Sequence, residues 1–280
     1  MLKPILTLLL ILFSVMHTFP QSISIMTYNV RYGLADDGDN SWNNRKEFLA
    51  SQINFYNPDI FGTQEGLPFQ IEFINSQLPD HSFIGQSRDA DGKGEYSAIF
   101  YNHKKFEILK QVTFWLSPSP LVPSKGWDAA YPRICTYGLF KDKETNNKFW
   151  VINTHFDHVG KIAREKSAQM ILKKIKEINT KNYPLIFMGD LNAEPNSNPI
   201  AKLNSELNDA KAISIEKPFG PSGTFNAFKF NEPVTKRIDY IFISKNNTIK
   251  VNKYAVLSDS KDLKYPSDHL PVYIEISLNK

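Results

Sequence analysis

Ser267-Asp268-His269-Leu270-Pro271-Val272 closes a series of acidic, amide and imidazole residues that runs the length of the chain. Its earlier members are Asn29 in TYNVR, Glu65 in GTQE, His155 in NTHFD, Asp190 and Asn192 in GDLN, and Asp239 in RIDYIF. Most of them stand where an apolar strand pattern stops. Polar residues at strand ends can converge on one rim of a sheet, which is where α/β enzymes place their ligands. Carboxylates, carboxamides and imidazoles together suit a hard, oxygen-seeking cation and the hydrolysis of a phosphoester.

The bulk properties allow such a fold. At 280 residues, 41% of them hydrophobic and with 20 Phe, 12 Tyr and 4 Trp, the chain has material for a substantial core. A formal charge of +4, from 33 basic and 29 acidic residues, does not by itself call for nucleic acid, and no run of like charges marks a basic arm or an acidic tail. Cys135 is the only cysteine, so no intrachain disulfide can form. Its strand-like setting, Arg133-Ile134-Cys135-Thr136-Tyr137, reads as core packing and not as a nucleophile.

The N-terminus reads as an export signal. Lys3 precedes an apolar run from Ile5 to Val15 that is too short to span a bilayer. Residues 1–20 are therefore expected to be a signal peptide that sends the protein to the periplasm or outside the cell, and residues 21–280 a single domain. An uncleaved anchor or a buried N-terminal strand is the alternative. No stable membrane insertion and no obligate protein partner are expected.

Strand and helix patterns alternate along the rest of the chain. Strands are predicted over 22–29, 59–65, 81–86, 95–102, 106–116, 133–140, 148–154, 183–189, 238–244, 249–257 and 271–277. Helices are predicted over 44–56, 67–78, 161–180 and 199–207. Residues 117–132 form a Pro/Ser/Gly-rich loop whose Trp127 and Tyr131 suit either stacking on a substrate or anchoring the loop. With no repeat or linker, the pattern implies one α/β domain in which two sheets pack face to face and helices cover the outer faces.

Each polar position also has a structural reading. Glu65 suits either a metal ligand or a cap on the helix that follows, and Asn29 suits a turn as well as a site. Asp190 and Asn192, two apart on an extended chain, would face one side and hold a water between them. A lone His155 at a strand end is as readable as a core histidine, and Arg237 and Asp239 as a local ion pair. The shared position at strand ends favours chemistry. No Gly-x-Ser-x-Gly elbow, His-Glu-x-x-His helix or glycine-rich phosphate loop offers a competing scheme.

In order and spacing, TYNVR, GTQE, NTHFDH, FMGDLNAEP, GTFN, RIDYIFIS and SDHLPV resemble the endonuclease/exonuclease/phosphatase family, over Ile23 to Ile276. The resemblance implies a four-layer α/β/β/α sandwich and an Mg²⁺- or Mn²⁺-dependent phosphoesterase acting by direct attack of water. Glu65, Asn29 and Asp268 would serve the metal. Asp190 and Asn192 would activate or orient the water, and His155 and His269 would flank the scissile phosphate. Glu95, in GEYSAIFY, would orient the first histidine, and Asp239 would support a histidine or the water. Arg133 would bind phosphate, while Thr224, Phe225 and Asn226 would line the wall. GDLNAEP and SKGWDAAYPR look most like exported bacterial members related to the deadenylase-like branch. A phosphodiester is the expected substrate: nucleic acid, a nucleotide or a lipid headgroup. The alternatives are a small phosphomonoester or a non-catalytic binding module.

Overall fold

The computed structural model describes residues 22–278, so the expected signal segment lies outside the described residues. In the first strand, β1 (Ser22–Asn29), alternation sends side chains to two different cores. Ile23 and Ile25 point between two sheets, where they join Ile60, Ile99, Phe140, Phe149, Val151, Ile186, Met188 and Ile241. Met26 and Tyr28 point the other way, onto Leu49 and Ile53 of α1 (Trp42–Tyr56) and Ile71 and Ile74 of α2 (Pro68–Ser76). The second sheet is also apolar on its outer face. There Trp150, Ile152, Phe187 and Phe242 meet Ala168 and Ile171 of α3 (Lys161–Ile178) and Ile200 and Leu203 of α4 (Asn198–Glu206). Three cores separate four layers, α/β/β/α, in agreement with the architecture expected from sequence.

The remaining strands are β2 (Ile60–Gln64), β3 (His81–Ile84), β4 (Ile99–Asn102), β5 (Phe106–Trp115), β6 (Ile134–Asp142), β7 (Lys148–His155), β8 (Leu185–Asp190), β9 (Leu207–Asp209), β10 (Asp239–Ser244), β11 (Ile249–Val256) and β12 (Val272–Leu278). A short helix, α5 (Ala210–Ile213), follows β9. The sheets run β11-β12-β1-β2-β4-β3 and β5-β6-β7-β8-β10-β9. Each is antiparallel except for one central parallel pair, β1 with β2 and β7 with β8. The crossover helices α1 and α3 join these pairs, because a parallel pair cannot close through a hairpin.

Pairing register delivers the site. Asn29 lies opposite Gln64, and His155 lies opposite Asp190. On its other side Asp190 lies opposite Asp239. Five polar strand ends are thereby brought to one edge of the sandwich.

Boundaries differ from the sequence expectation by a few residues, and three short elements have no counterpart in it, the first a 3₁₀ turn at Gly38–Asn40. β9 and α5, of 3 and 4 residues, are too short to show a period. The strand expected over 95–102 pairs regularly only from Ile99, because Tyr96 makes isolated bridges to Gly66 and Ser87.

Candidate active site

Glu65 follows β2 in a left-handed conformation, φ 64°, which a non-glycine residue adopts at a cost. That turn directs its carboxylate away from α2 and back toward β1. Oε1 accepts from Asn29 Nδ2 at 2.9 Å, and Oε2 accepts from the Tyr32 backbone N–H at 2.8 Å. Glu65 is therefore no helix cap; Gln70 takes that role, its Oε1 accepting from the Leu67 N–H at 3.1 Å.

Asp190 is the hub. Its Oδ2 accepts from Asn29 Nδ2 at 3.0 Å and lies 3.4 Å from His155 Nε2 and 3.8 Å from His269 Nε2. Its Oδ1 accepts from the Asn192 backbone N–H at 2.9 Å. Asn192 is left-handed, φ 46°, so the chain turns here and does not stay extended. Its Nδ2 still reaches the carbonyl of Phe156 and His155 Nε2, both at 3.0 Å.

His269 donates from Nδ1 to Asp239 Oδ2 at 2.9 Å, and Thr224 Oγ1 donates to the same oxygen at 2.6 Å. The charge on each group follows from its neighbours. Burial works against protonating His269, but Asp239 and Asp190 outweigh it and lift the imidazole to about 10. Burial and Asp239 push Asp190 up to about 7. Burial also raises Asp268, with the nearby Glu65 adding to the effect. Glu65 is half-buried and its desolvation works the other way, yet the His269 cation, Asn29 and the Tyr32 N–H bring it below the usual carboxylate range. Burial together with Arg133 and Arg88 holds His155 well below the ordinary histidine range, so it is neutral. Of this pair, His269 is thus the imidazolium and His155 the neutral imidazole.

Several expectations need correction. Asn29, expected as a metal ligand, bridges Glu65 and Asp190 through its NH₂ group, while its oxygen accepts from the Arg31 N–H at 3.0 Å. Thr224 and Asn226, expected at the wall, are turned inward. Thr224 is fully buried on Asp239, and Asn226 donates to the Ser267 carbonyl at 3.0 Å and accepts from the Phe228 N–H at 2.7 Å. Glu95 stays 4.0 Å from His155 Nδ1 because Arg88 holds it at 2.7 Å. The atom at hydrogen-bond distance from that nitrogen is Arg133 Nη1, at 3.0 Å. Arg237 does not pair with Asp239; it makes a two-armed contact to Asp209, 2.7 Å on both arms.

Glu65, Asp190, Asp268, His155, His269, Asn192, Glu95, Arg133 and Phe225 line one cavity of about 620 Å³. Sequence reasoning missed Arg31, Tyr32, Arg88, His158 and Lys236, which share its lining, and did not decide between roles for Tyr131, which also lines it. Arg31 stood inside TYNVR and His158 inside NTHFDH, so proximity to motif residues was the available signal. Trp127 is not part of the wall.

Oxygen and nitrogen atoms of Glu65, Asp190 and His269 lie within 4.8 Å of one another. Crowded carboxylates, the buried Asp190 lifted to about 7, fit a cation that would relieve their repulsion. A hard cation takes oxygen, and His269 already carries a proton on each nitrogen facing a carboxylate. Within that trio the two carboxylates fit such a cation, and His269, with Asp239 and Asp190 on either side, fits a donor.

A model of the Endonuclease/Exonuclease/phosphatase family matches residues 26–269, which include the whole set of site residues. The chain belongs to the endonuclease/exonuclease/phosphatase family. Among solved structures it is similar to a mannosyl-6-phosphatase of Bacteroides thetaiotaomicron, with 38% identity, a TM-score of 0.87 and coverage of 91% of this chain and 100% of that one. A family protein from the same organism matches at 37% identity and a TM-score of 0.87, over 94% of this chain and 100% of that one. Nocturnin of Rattus norvegicus is 23% identical over 92% of this chain, which spans 66% of that protein. This member of the endonuclease/exonuclease/phosphatase family therefore acts on phosphoesters. Among the described residues, no helix is long and apolar enough to cross a membrane.

Proposed function

We propose that the chain is a divalent-metal-dependent phosphatase that releases phosphate from a small hydrophilic monoester, a phosphorylated sugar being the leading candidate. One observation carries this reading: the catalytic residues line a half-open cavity of about 620 Å³, a size that suits a small ligand. The likeness to a mannosyl-6-phosphatase over 100% of that chain supports the same substrate class. The choice departs from the phosphodiester expected from sequence.

Glu65 and Asp190, with Asp268 beside them, would hold Mg²⁺ or Mn²⁺. When bound, the cation neutralises charge on the phosphoryl oxygens. The chain's own residues orient the reaction. Asp190, held as an acceptor by Asn29 and the Asn192 N–H, accepts the proton of the attacking water. The His269 imidazolium, aligned by Asp239, donates to a phosphoryl oxygen as its charge grows. Arg31, Arg88, Arg133 and Lys236 face four carboxylates across the cavity, so an added dication leaves the cavity positive toward a phosphate dianion.

A second cleft of about 530 Å³, lined by Lys161 and Arg164, shares His158, Asn192, Lys236 and Ile238 with the first. It favours a larger substrate, with the phosphorylated unit at the end of a longer polar chain. Export through residues 1–20 is part of the same proposal, and its support is the sequence pattern.

The test is a hydrolysis panel with Mg²⁺ and Mn²⁺: mannose 6-phosphate, other sugar phosphates, a nitrophenyl phosphodiester, RNA and DNA. Sugar monoesters should turn over fastest, and Glu65→Ala should lower kcat/KM by about 10³-fold or more. Faster turnover of RNA or DNA would overturn the monoester assignment.

A further inference from the structure

Arg133 is 5% exposed and is gripped by the segment that follows β7. Its Nε donates to Asp157 Oδ2 at 3.3 Å. Nη1 lies 3.0 Å from His155 Nδ1, and Nη2 lies 3.1 Å from His158 Nδ1. One guanidinium thus addresses two imidazoles through the same ring nitrogen.

A guanidinium offers donors only and keeps its protons. In each contact the imidazole Nδ1 must be the acceptor. A neutral imidazole has a single acceptor nitrogen, so its proton must sit on Nε2. For His155 this places Nε2–H on the side of Asp190 Oδ2, 3.4 Å away. Asn192 Nδ2, 3.0 Å from that nitrogen and 3.0 Å from the Phe156 carbonyl, has a hydrogen for each and so competes for the ring's lone pair, but as a neutral amide it is the weaker donor. Arg133 Nη1 is the charge-assisted donor of the two, and its other carboxylate neighbour, Glu95, lies farther off at 3.9 Å and is held by Arg88 at 2.7 Å. The arginine therefore decides the tautomer.

We propose that Arg133 is a positioning residue that locks His155 and His158 together as neutral Nε2–H tautomers, giving the cavity two fixed imidazole donors. Asp157 makes the lock rigid. Its other oxygen accepts from the Val159 and Gly160 N–H groups at 3.0 and 2.7 Å, so guanidinium, turn and both rings move as one unit. His158 is braced further by stacking on Tyr131, with centroids 5.9 Å apart and planes 19° from parallel. In this arrangement His155 cannot accept a proton at Nε2 from the attacking water, which leaves that step to Asp190. That consequence rests on the phosphoesterase reading; the tautomer assignment does not.

The experiment is nitrogen NMR of the whole chain labelled with ¹⁵N-histidine, with and without Mg²⁺ near neutral pH, with signals assigned through His155→Gln and His158→Gln. Both rings should show bare Nδ1 and protonated Nε2. In Arg133→Met both should relax to a tautomer mixture, and kcat on the best small phosphate ester should fall at least about 10-fold with KM changed less than twofold. Protonated Nδ1 on either ring of the wild type would overturn the assignment. A rise in KM with kcat unchanged would return Arg133 to phosphate binding. If Arg133→Met does not fold, the wild-type spectrum alone decides. Failure to hydrolyse any monoester would overturn the proposed substrate, while the tautomers read from the spectrum would stand.

Discussion

His269 sits between two carboxylates, Asp239 at 2.9 Å and Asp190 at 3.8 Å, and is only 4% exposed. Either carboxylate would be costly there without it, and the imidazole would be neutral without them. The pair of contacts lifts His269 to about 10 against burial. An imidazole raised above its unfolded value of about 6.5 stabilises the fold fully below that value, and the stabilisation is lost as pH climbs toward 10. In chelator, where no cation competes for Asp190, the thermal midpoint should therefore drop between pH 7 and 10. His269→Gln should flatten that slope and lower kcat by about 10²-fold or more. A flat wild-type profile would mean that His269 is not the site's cation. Arg31 stands in TYNVR and Asp268 in SDHLPV, but the motifs do not show their approach to 3.6 Å. Short motifs reveal residue types; the fold supplies their distances.

β8 illustrates how an element aims chemistry. Gly189 precedes Asp190 at φ 149°, and a Cβ there would collide with the carbonyl oxygen of Thr154 on β7. Two strands approach closely at this point, and the approach sets His155 opposite Asp190. Gly189→Ala should cost about 3 kcal/mol or more and reduce turnover more than its folded fraction explains; denaturant melts beside kcat would show both. Wild-type turnover per folded molecule would mean that the close approach serves packing alone. The strand ends were legible because alternation stops sharply at Asn29, Glu65, His155, Asp190 and Asp239. The loops were not. Arg88, Tyr131, His158 and Lys236 reach the cavity from segments whose path no periodicity encodes. Thr224 looked like wall because GTFN lies between strands, whereas its hydroxyl is spent on Asp239.

At the scale of the whole molecule, the site spans the seam between the sheets. Asn29 and Glu65 stand at strand ends of the first sheet and Asp190 at one of the second, and Asn29 donates to both carboxylates. Behind them a buried polar bridge repeats the connection: Asn153 of β7 donates to the carbonyls of Thr63 and Ala98 and accepts from Gln64 Nε2 at 2.7 Å. A cation held by Glu65 and Asp190 would clamp the two sheets, so its binding free energy would appear as stability of the entire fold and not of one loop. A ligand at about 100 times its Kd adds about 2.7 kcal/mol, about 5–10 °C for a domain of this size. Adding Mn²⁺ or Mg²⁺ to chelator-treated protein should raise the unfolding temperature by that order, in a single transition. Glu65→Gln removes a ligand charge from one sheet and should abolish most of the shift, and Asp190→Asn should do the same from the other. A full metal-induced shift surviving in either variant would place the cation away from the seam, and with it the centre of the proposed chemistry.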